Sequence, residues 1–176
     1  DRFRDRPWTF AIVGQGGGKA RLEKMVADRG LHNVKFFPLQ PYEALPALLK
    51  MGDCHLVIQR RGAADAVLPS KLTNILAVGG NAVITAEAQT ELGQLCTTYP
   101  GIAVCVEPES VDALAAGILQ ALAMPEENTV AREYAERTLE KENVLSQFIA
   151  DIDAQRTGGQ VDPHAAVGER KYGDQS

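Results

Sequence analysis

Short apolar runs alternate with stretches of helical periodicity along most of this sequence. An apolar run of about four to eight residues between turn residues is typical of a buried parallel strand. Apolar positions three or four residues apart are typical of an amphipathic helix. The pattern predicts strands at residues 8–13, 34–37, 55–59, 82–85 and 102–106. It predicts helices at residues 19–29, 42–51, 70–78, 90–95, 110–123, 127–139 and 143–155.

Residues that start or stop helices support these boundaries. Gly30 and Gly79 each follow a helical stretch, where a glycine in the left-handed conformation commonly ends a helix. Ser70 and Ser110 are predicted N-caps, because a serine hydroxyl can accept a hydrogen bond from the first-turn backbone. Pro46 is tolerated only near a first turn, which predicts that its helix begins close to it.

Strands and helices in alternation predict repeated βαβ units and therefore an α/β fold. The expected architecture is a Rossmann-like three-layer domain with a parallel sheet. Residues 1–155 are predicted to form this domain, and residues 156–176, rich in polar residues and glycine, a flexible tail. The charged opening DRFRDRPW is interpreted as the end of an upstream helix, preceded by a further strand.

Composition excludes several classes of protein. The 176 residues carry a net charge of −5, which disfavours a nucleic-acid-binding surface. No apolar run approaches the roughly 20 residues needed to span a bilayer. The three cysteines are far apart in sequence, which argues against a disulfide framework and fits a reducing compartment. No cysteine or histidine spacing is that of a zinc site, so no metal ligands are predicted.

Ligands of parallel sheets bind where strands lead into helices, which confines the search for a site to a few loops. Gly14–Lys19 follows the first strand, and Gly16 and Gly17 would let the backbone approach a phosphate at a helix N-terminus. The segment lacks the spacing of a P-loop or a dinucleotide fingerprint. A ligand-facing loop and a plain tight turn therefore both stay open.

A second candidate is the start of the helix at residue 70. Ser70, Lys71 and Asn74 would fall near one rim of its first turn, where a cation and free N–H groups suit a diphosphate. An ordinary capped helix with a solvated lysine is the simpler interpretation. Arg60 and Arg61, at the end of a predicted strand, could face an anion or simply lie in solvent.

A third candidate is the rigid loop that contains Pro38, Leu39 and Gln40, which could pack on a nucleotide base. A loop that only turns the chain is the default. Glu107 and Glu109 are placed in the loop before the Ser110 helix. No catalytic triad is visible, so the catalytic residues are unknown.

Taken in order, these segments resemble the C-terminal donor-binding domain of a GT-B glycosyltransferase of family 4, also called group 1. The matching segments are FAIVGQGGGKARLEKMV, NVKFFPLQPYEALPALLKMGDCHLVI, LPSKLTNILAVGGNAVITA and PESVDALAAGILQAL. They cover roughly residues 8–123. The VGQGGGKARLEKM and PSKL stretches resemble most the family's enzymes of colanic acid and other exopolysaccharide biosynthesis.

The resemblance implies roles for individual residues. The loop around Pro38, Leu39 and Gln40 would contact the base of a nucleotide-diphosphate sugar. The diphosphate would be held near Lys71 by a short segment comprising Val67, Leu68, Pro69 and Ser70. Asn74 stands where the family usually has the second glutamate of its E-x7-E pair, and Ala66 stands at the first. The chain therefore lacks both acids, and Asp65, one residue out of register, is a possible substitute.

The implied activity is that of a retaining hexosyltransferase-type enzyme that passes a sugar to a polysaccharide or lipid-linked acceptor. The nucleotide-diphosphate sugar is the substrate, and neither a cofactor nor a metal is expected. The acceptor and any base would come from an absent N-terminal domain, so this chain alone is expected to be inactive. The whole protein would be cytoplasmic, with possible peripheral attachment to the inner membrane face. A nucleotide-sugar 2-epimerase half and a non-catalytic nucleotide-binding scaffold remain the alternatives.

Overall fold

The fold was analysed in a computed structural model that describes residues 1–62 and 68–139. Asp1–Arg137 form one compact unit. The predicted helix at 143–155 and the predicted tail at 156–176 lie outside the described residues. In the described part of the chain, no helix is long and apolar enough to cross a membrane.

Five strands and six α-helices alternate along this unit. The strands are β1 (Phe10–Val13), β2 (Val34–Phe37), β3 (His55–Val57), β4 (Ala82–Thr85) and β5 (Val104–Val106). The helices are α1 (Lys19–Asp28), α2 (Leu45–Lys50), α3 (Ser70–Ala77), α4 (Glu91–Thr98), α5 (Val111–Leu122) and α6 (Thr129–Tyr134). A 3₁₀ turn (Tyr42–Ala44) leads into α2, and a π-helical turn (Ala135–Leu139) follows α6. The predicted order of elements is therefore confirmed over residues 8–139.

Helix ends follow the predicted signals in most places. Gly30 and Gly79 both have positive φ, at 59° and 68°, directly after helical segments. The Ser110 hydroxyl accepts from the N–H of Ala113 and caps α5. Pro46 is the second residue of α2. The N-cap predicted for Ser70 is wrong, because the extended backbone of Pro69 ends the loop and Ser70 is already the first helical residue.

The strands are divided between two parallel sheets. One sheet pairs β1 with β2, from Phe10 opposite Val34 to Val13 opposite Phe37. The other has the order β3-β4-β5, and Ile84 at its centre lies between Val57 and Cys105. The predicted α/β class with parallel strands and flanking helices is confirmed.

The core is built around β4, whose four residues are all buried. A parallel strand in this position needs cover on both faces, and helices supply it. From α3 the core receives Leu72, Ile75 and Leu76, and from α5 it receives Ile118 and Ala121. Leu92 and Leu95 of α4 are buried as well, and so is Ala131 of α6. The buried residues of α3 are three or four positions apart, so one face of that helix packs here.

The prediction that β1 is a buried strand is wrong. Ala11 is exposed, and Ile12 keeps 38% of its surface exposed. Within the described residues, β1 pairs with β2 alone, and α1 contributes no buried residue to cover it. Apolar composition predicted the strand correctly but not the number of its neighbours.

His55, the first residue of β3, lies in a narrow space beside the core. Its Nε2 lies 2.9 Å from the carbonyl oxygen of Leu49. A Cβ atom added to Gly52 would lie 2.8 Å from the imidazole ring, and one added to Gly80 would lie 3.1 Å from it. Burial lowers the pKa of His55 below its usual 6.5, and the nearby Lys71 charge acts in the same direction.

We expect His55→Gln to remove a pH-dependent part of the stability. Because the pKa of His55 is lower in the folded chain, the unfolded chain binds the extra proton first as the pH falls below about 6.5. The contribution of His55 to the free energy of unfolding is therefore complete above pH 6.5. It is lost as the pH falls through the pKa that His55 has in the folded chain. Urea unfolding at pH 8 and pH 5 should show a smaller wild-type advantage over the variant at pH 5.

The matched control is His32→Gln, since His32 is exposed. Its effect on the free energy of unfolding should be small, because an exposed side chain makes few contacts. A wild-type advantage over His55→Gln that stays constant, or that grows as the pH falls, would show that burial does not govern this imidazole.

Candidate functional site

The loops that follow β1 and β2 lie side by side. The N–H of Gly14 donates to the carbonyl oxygen of Phe37 over 3.2 Å, which joins the two strand ends. Gly14–Gly18, here called the glycine loop, therefore begins next to Pro38–Gln40, here called the apolar loop. The structure brings together two of the three loops singled out in the sequence.

The glycine loop has more glycines than its turn requires. Gly14 has a φ of 135°, a conformation that residues with a side chain rarely adopt. Gly16, Gly17 and Gly18 have no such φ, and a Cβ atom added to any of them would meet nothing within 4 Å. The tight turn accounts for Gly14 but not for the other three. Their lack of side chains leaves an open backbone surface directly before α1.

The apolar loop presents a hydrophobic surface. Leu39 is 70% exposed and Tyr42, which follows the loop, is 72% exposed. The side-chain amide of Gln40 donates to the carbonyl oxygen of Pro38 over 2.9 Å, which holds the loop in a compact turn. Exposed apolar groups on a rigid loop are suited to stacking on a planar ligand.

The start of α3 is tied to the sheet by its lysine. The ammonium group of Lys71 donates to the carbonyl oxygen of Leu56 in β3 over 2.6 Å. Burial lowers the pKa of Lys71. Lys71 is exposed, so its ammonium group both contacts the sheet and stays open to solvent. The initial N–H groups of the same helix have no intrahelical partners.

The remaining residues predicted around this helix start differ in their exposure to solvent. Leu68 and Pro69 are half-buried, and Ser70 is exposed. Asn74 is half-buried, one turn further along α3. Val67 lies outside the described residues, together with Asp65 and Ala66.

A polar network joins the ends of β3, β4 and β5, and we call it the strand-end network. It comprises Gln59, Arg61, Thr85, Glu87 and Glu107. The buried Thr85 hydroxyl donates to the carbonyl oxygen of Gln59 over 2.8 Å and accepts from the N–H of the same residue over 2.7 Å. The Arg61 guanidinium bonds Glu87 over 3.1 Å and also pairs with Glu107.

This network bears on whether Arg61 could face an anionic ligand or simply lies in solvent. The hydrogen bond to Glu107 raises the pKa of Arg61, and Glu87 adds to the effect. The Arg61 charge is thus balanced by two carboxylates rather than free for an anion. Arg60 is exposed. The roles of Thr85 and Glu87 were missed in the sequence, although polar residues at the ends of adjacent predicted strands were an available signal.

The predicted site residues thus fall into two groups. Within residues 1–62 and 68–139, no hydrogen bond or ion pair connects the glycine and apolar loops to the start of α3. The same residues hold no group of three or more histidine, cysteine or acidic side chains arranged for a metal ion.

This chain has the architecture of the α/β domains that bind nucleotides and related ligands in loops at the ends of parallel strands. Residues 2–138 match the family described as Glycosyl transferases group 1, and the chain belongs to that family. It is also similar to the Escherichia coli (strain K12) protein named "Putative colanic acid biosynthesis glycosyl transferase WcaI". The two are 82% identical over 152 residues, which make up 86% of this chain and 37% of that protein.

Two solved structures have the same fold. Sucrose-phosphate synthase from Thermosynechococcus elongatus matches with a TM-score of 0.62 and 19% identity, over 85% of this chain and 41% of that one. Anabaena Alr3699/HepE, solved in complex with UDP-glucose, matches with a TM-score of 0.57 and 19% identity. That match covers 84% of this chain and 41% of HepE. The predicted family and the Rossmann-like half of a GT-B fold are both confirmed.

Proposed function

We propose that this chain is the donor-binding half of a retaining glycosyltransferase and that it binds a nucleotide-diphosphate sugar. The observation that carries the proposal is the open backbone of Gly16, Gly17 and Gly18, which packing does not explain. Such a loop before a helix lets phosphate oxygens approach backbone N–H groups. Family membership favours a transferase over the 2-epimerase and scaffold alternatives.

The proposed site has a separate place for each part of the donor. The exposed Leu39 side chain and the backbone of the apolar loop would hold the base. The segment from residue 67 to Ser70 and the backbone of the glycine loop would hold the diphosphate, with Lys71 as the nearest cation. Asn74 would bond a ribose hydroxyl of the nucleotide, although an amide is a weaker partner than the glutamate usual in the family.

Departure of the nucleotide diphosphate builds negative charge as the sugar becomes oxocarbenium-like. The proposed stabilising groups are the helix start at Ser70 and the ammonium group of Lys71. Lys71 is the second residue of α3, and its ammonium group would exchange the Leu56 carbonyl for the diphosphate. We propose that this arrangement works without a metal ion or other cofactor.

The activity of the whole protein is proposed from the relative it resembles. The chain spans 37% of that protein's length, so an N-terminal acceptor domain and any catalytic base would lie elsewhere. We propose that the acceptor is a growing exopolysaccharide or its lipid-linked precursor. The protein would then work in the cytoplasm, in peripheral contact with the membrane, and this chain by itself would be inactive.

We also propose that one strand of the sheet comes from residues upstream of Asp1 in the longer protein. The observed order β2-β1 and β3-β4-β5 fits the common order 3-2-1-4-5-6 with a strand added between β1 and β3. Phe10 of β1 and Leu56 of β3 pack against one core cluster, which puts the two sheets on the same core. The exposure of Ile12 also fits an unpaired edge.

The donor site is tested by adding methyl groups to the glycine loop. In the full-length protein, the double variant Gly16→Ala/Gly17→Ala should bind the preferred nucleotide at least about tenfold more weakly, which is about 1.4 kcal/mol. The added carbons have free space in the structure, so the unfolding temperature should not change. Titration calorimetry with UDP, GDP, ADP and their sugars, UDP-glucose among them, gives both the base preference and the Kd.

Lys24→Ala is the control, because Lys24 is paired with Asp28 on the surface of α1. Its Kd should stay within about twofold of the wild-type value. Binding of no nucleotide by the wild-type protein, or an unchanged Kd for the double glycine variant, would contradict the assignment of the glycine loop.

The added strand is tested by hydrogen exchange. Amides of β1 and β3 should exchange at least tenfold more slowly in the full-length protein than in this chain, because a strand between them would supply hydrogen-bond acceptors. Amides of β5, an edge strand on the far side of β4, serve as the internal control and should change little. Equal exchange of β1 and β3 in the two proteins would count against the proposal.

A further inference from the structure

Cys96 and Cys105 lie together although eight residues separate them in the sequence. Cys96 is on α4 and half-buried, whereas Cys105 is the exposed central residue of β5. The Val104 side chain faces the α5 side of the sheet and is buried there, so Cys105 faces the opposite side. Both cysteines are free, and both line the same cleft.

The surroundings hold both thiols in place. The Thr90 side chain caps α4 at the N–H of Gly93. A Cβ atom on Gly93 would lie 2.2 Å from the carbonyl oxygen of Glu87, so the helix fits tightly against that loop. The Cys105 sulfur lies 3.8 Å from the carbonyl oxygen of Ala86. These contacts fix the backbone that carries each cysteine.

Reagents can reach the pair. A cleft of about 430 Å³ is lined by both cysteines together with Gly93, Thr97, Glu107 and Gln120. Such a volume admits a small thiol reagent. Neither cysteine belongs to the proposed donor site.

We propose that Cys96 and Cys105 form a reversible dithiol–disulfide pair that reacts with low-molecular-weight disulfides. In the first step the Cys105 thiolate attacks one sulfur of the small disulfide, and the other sulfur leaves as a thiolate. In the second step Cys96, which gives up its proton to solvent, attacks the Cys105 sulfur and displaces the second small thiolate. Two protein thiols are thereby oxidised, and one small disulfide is reduced to two thiols.

The exposure and the ionisation of the two thiols indicate which of them reacts first. The hydrogen bond from Cys96 lowers the pKa of Cys105 to about 7, so a large fraction of it is thiolate at neutral pH. The same contact raises the pKa of Cys96 far above its usual value. Burial raises the pKa of the third thiol, Cys54, to about 11. Cys105 is also the exposed thiol of the pair, whereas Cys96 is half-buried, so Cys105 is the attacking thiol and Cys96 the resolving thiol. Cys54 does not line the cleft and takes no part.

The test is oxidation of the native full chain with oxidised glutathione, followed by alkylation of the remaining thiols and mass spectrometry. We expect two of the three thiols to be lost with no glutathione attached, a peptide that joins Cys96 to Cys105, and full reversal by dithiothreitol. Cys96→Ser should stop at a glutathione adduct on Cys105, because the resolving thiol is gone. Cys54→Ser should form the same crosslink as the wild-type chain.

Four results would overturn the proposal. The wild-type chain could keep a stable glutathione adduct on Cys105, it could form a crosslink that involves Cys54, or it could resist oxidation altogether. Far-ultraviolet circular dichroism recorded during the reaction shows whether the chain stays folded. A crosslink that forms only in urea also counts against it.

Discussion

The complete burial of β4 is the constraint on which the rest of this structure depends. A strand between two parallel neighbours has no face or edge open to water, so helices must cover both faces. The apolar faces of α3 and α5 meet that requirement. Because α3 follows β3 and packs into the core, it starts on the carboxyl side of β3, beside β4. Core packing therefore sets the position of the proposed diphosphate site at the start of α3.

Polar contacts fix the positions of the strand ends around the buried strand β4. The hydroxyl of Thr85, at the last position of β4, holds the backbone of Gln59 and so aligns the end of β3. Lys71 extends back from α3 to the carbonyl of Leu56 in the same strand. The Arg61 pairs with Glu87 and Glu107 are exposed, and exposed ion pairs contribute little to stability. The buried threonine is therefore the contact that orders the strand ends, and the arginine mainly balances charge there.

The sequence predicted what depends on local chemistry and missed what depends on distant neighbours. Periodicity placed the strands, and glycines such as Gly30 and Gly79 marked helix ends, because these signals act within a few residues. The exposure of β1 was missed because apolar composition does not reveal whether a strand has one neighbour or two. The thiol contact of Cys96 with Cys105 was missed as well, since wide spacing in sequence says nothing about distance in space. The loops singled out in the sequence follow β1 and β2 and precede α3, as predicted, and their role as a ligand site stays a prediction. The hydrogen bond from Lys71 to Leu56 required coordinates.

The central claim is that the start of α3 stabilises the charge of a departing nucleotide diphosphate. Its most direct test is nucleotide-sugar turnover by the full-length protein with Lys71→Met, which keeps the apolar stem and removes the charge. We expect kcat to fall about a hundredfold or more, as is typical when one charge-stabilising donor is removed. Lys24→Met, on the surface of α1, should leave turnover unchanged. An unchanged kcat in a folded Lys71→Met protein would contradict the account.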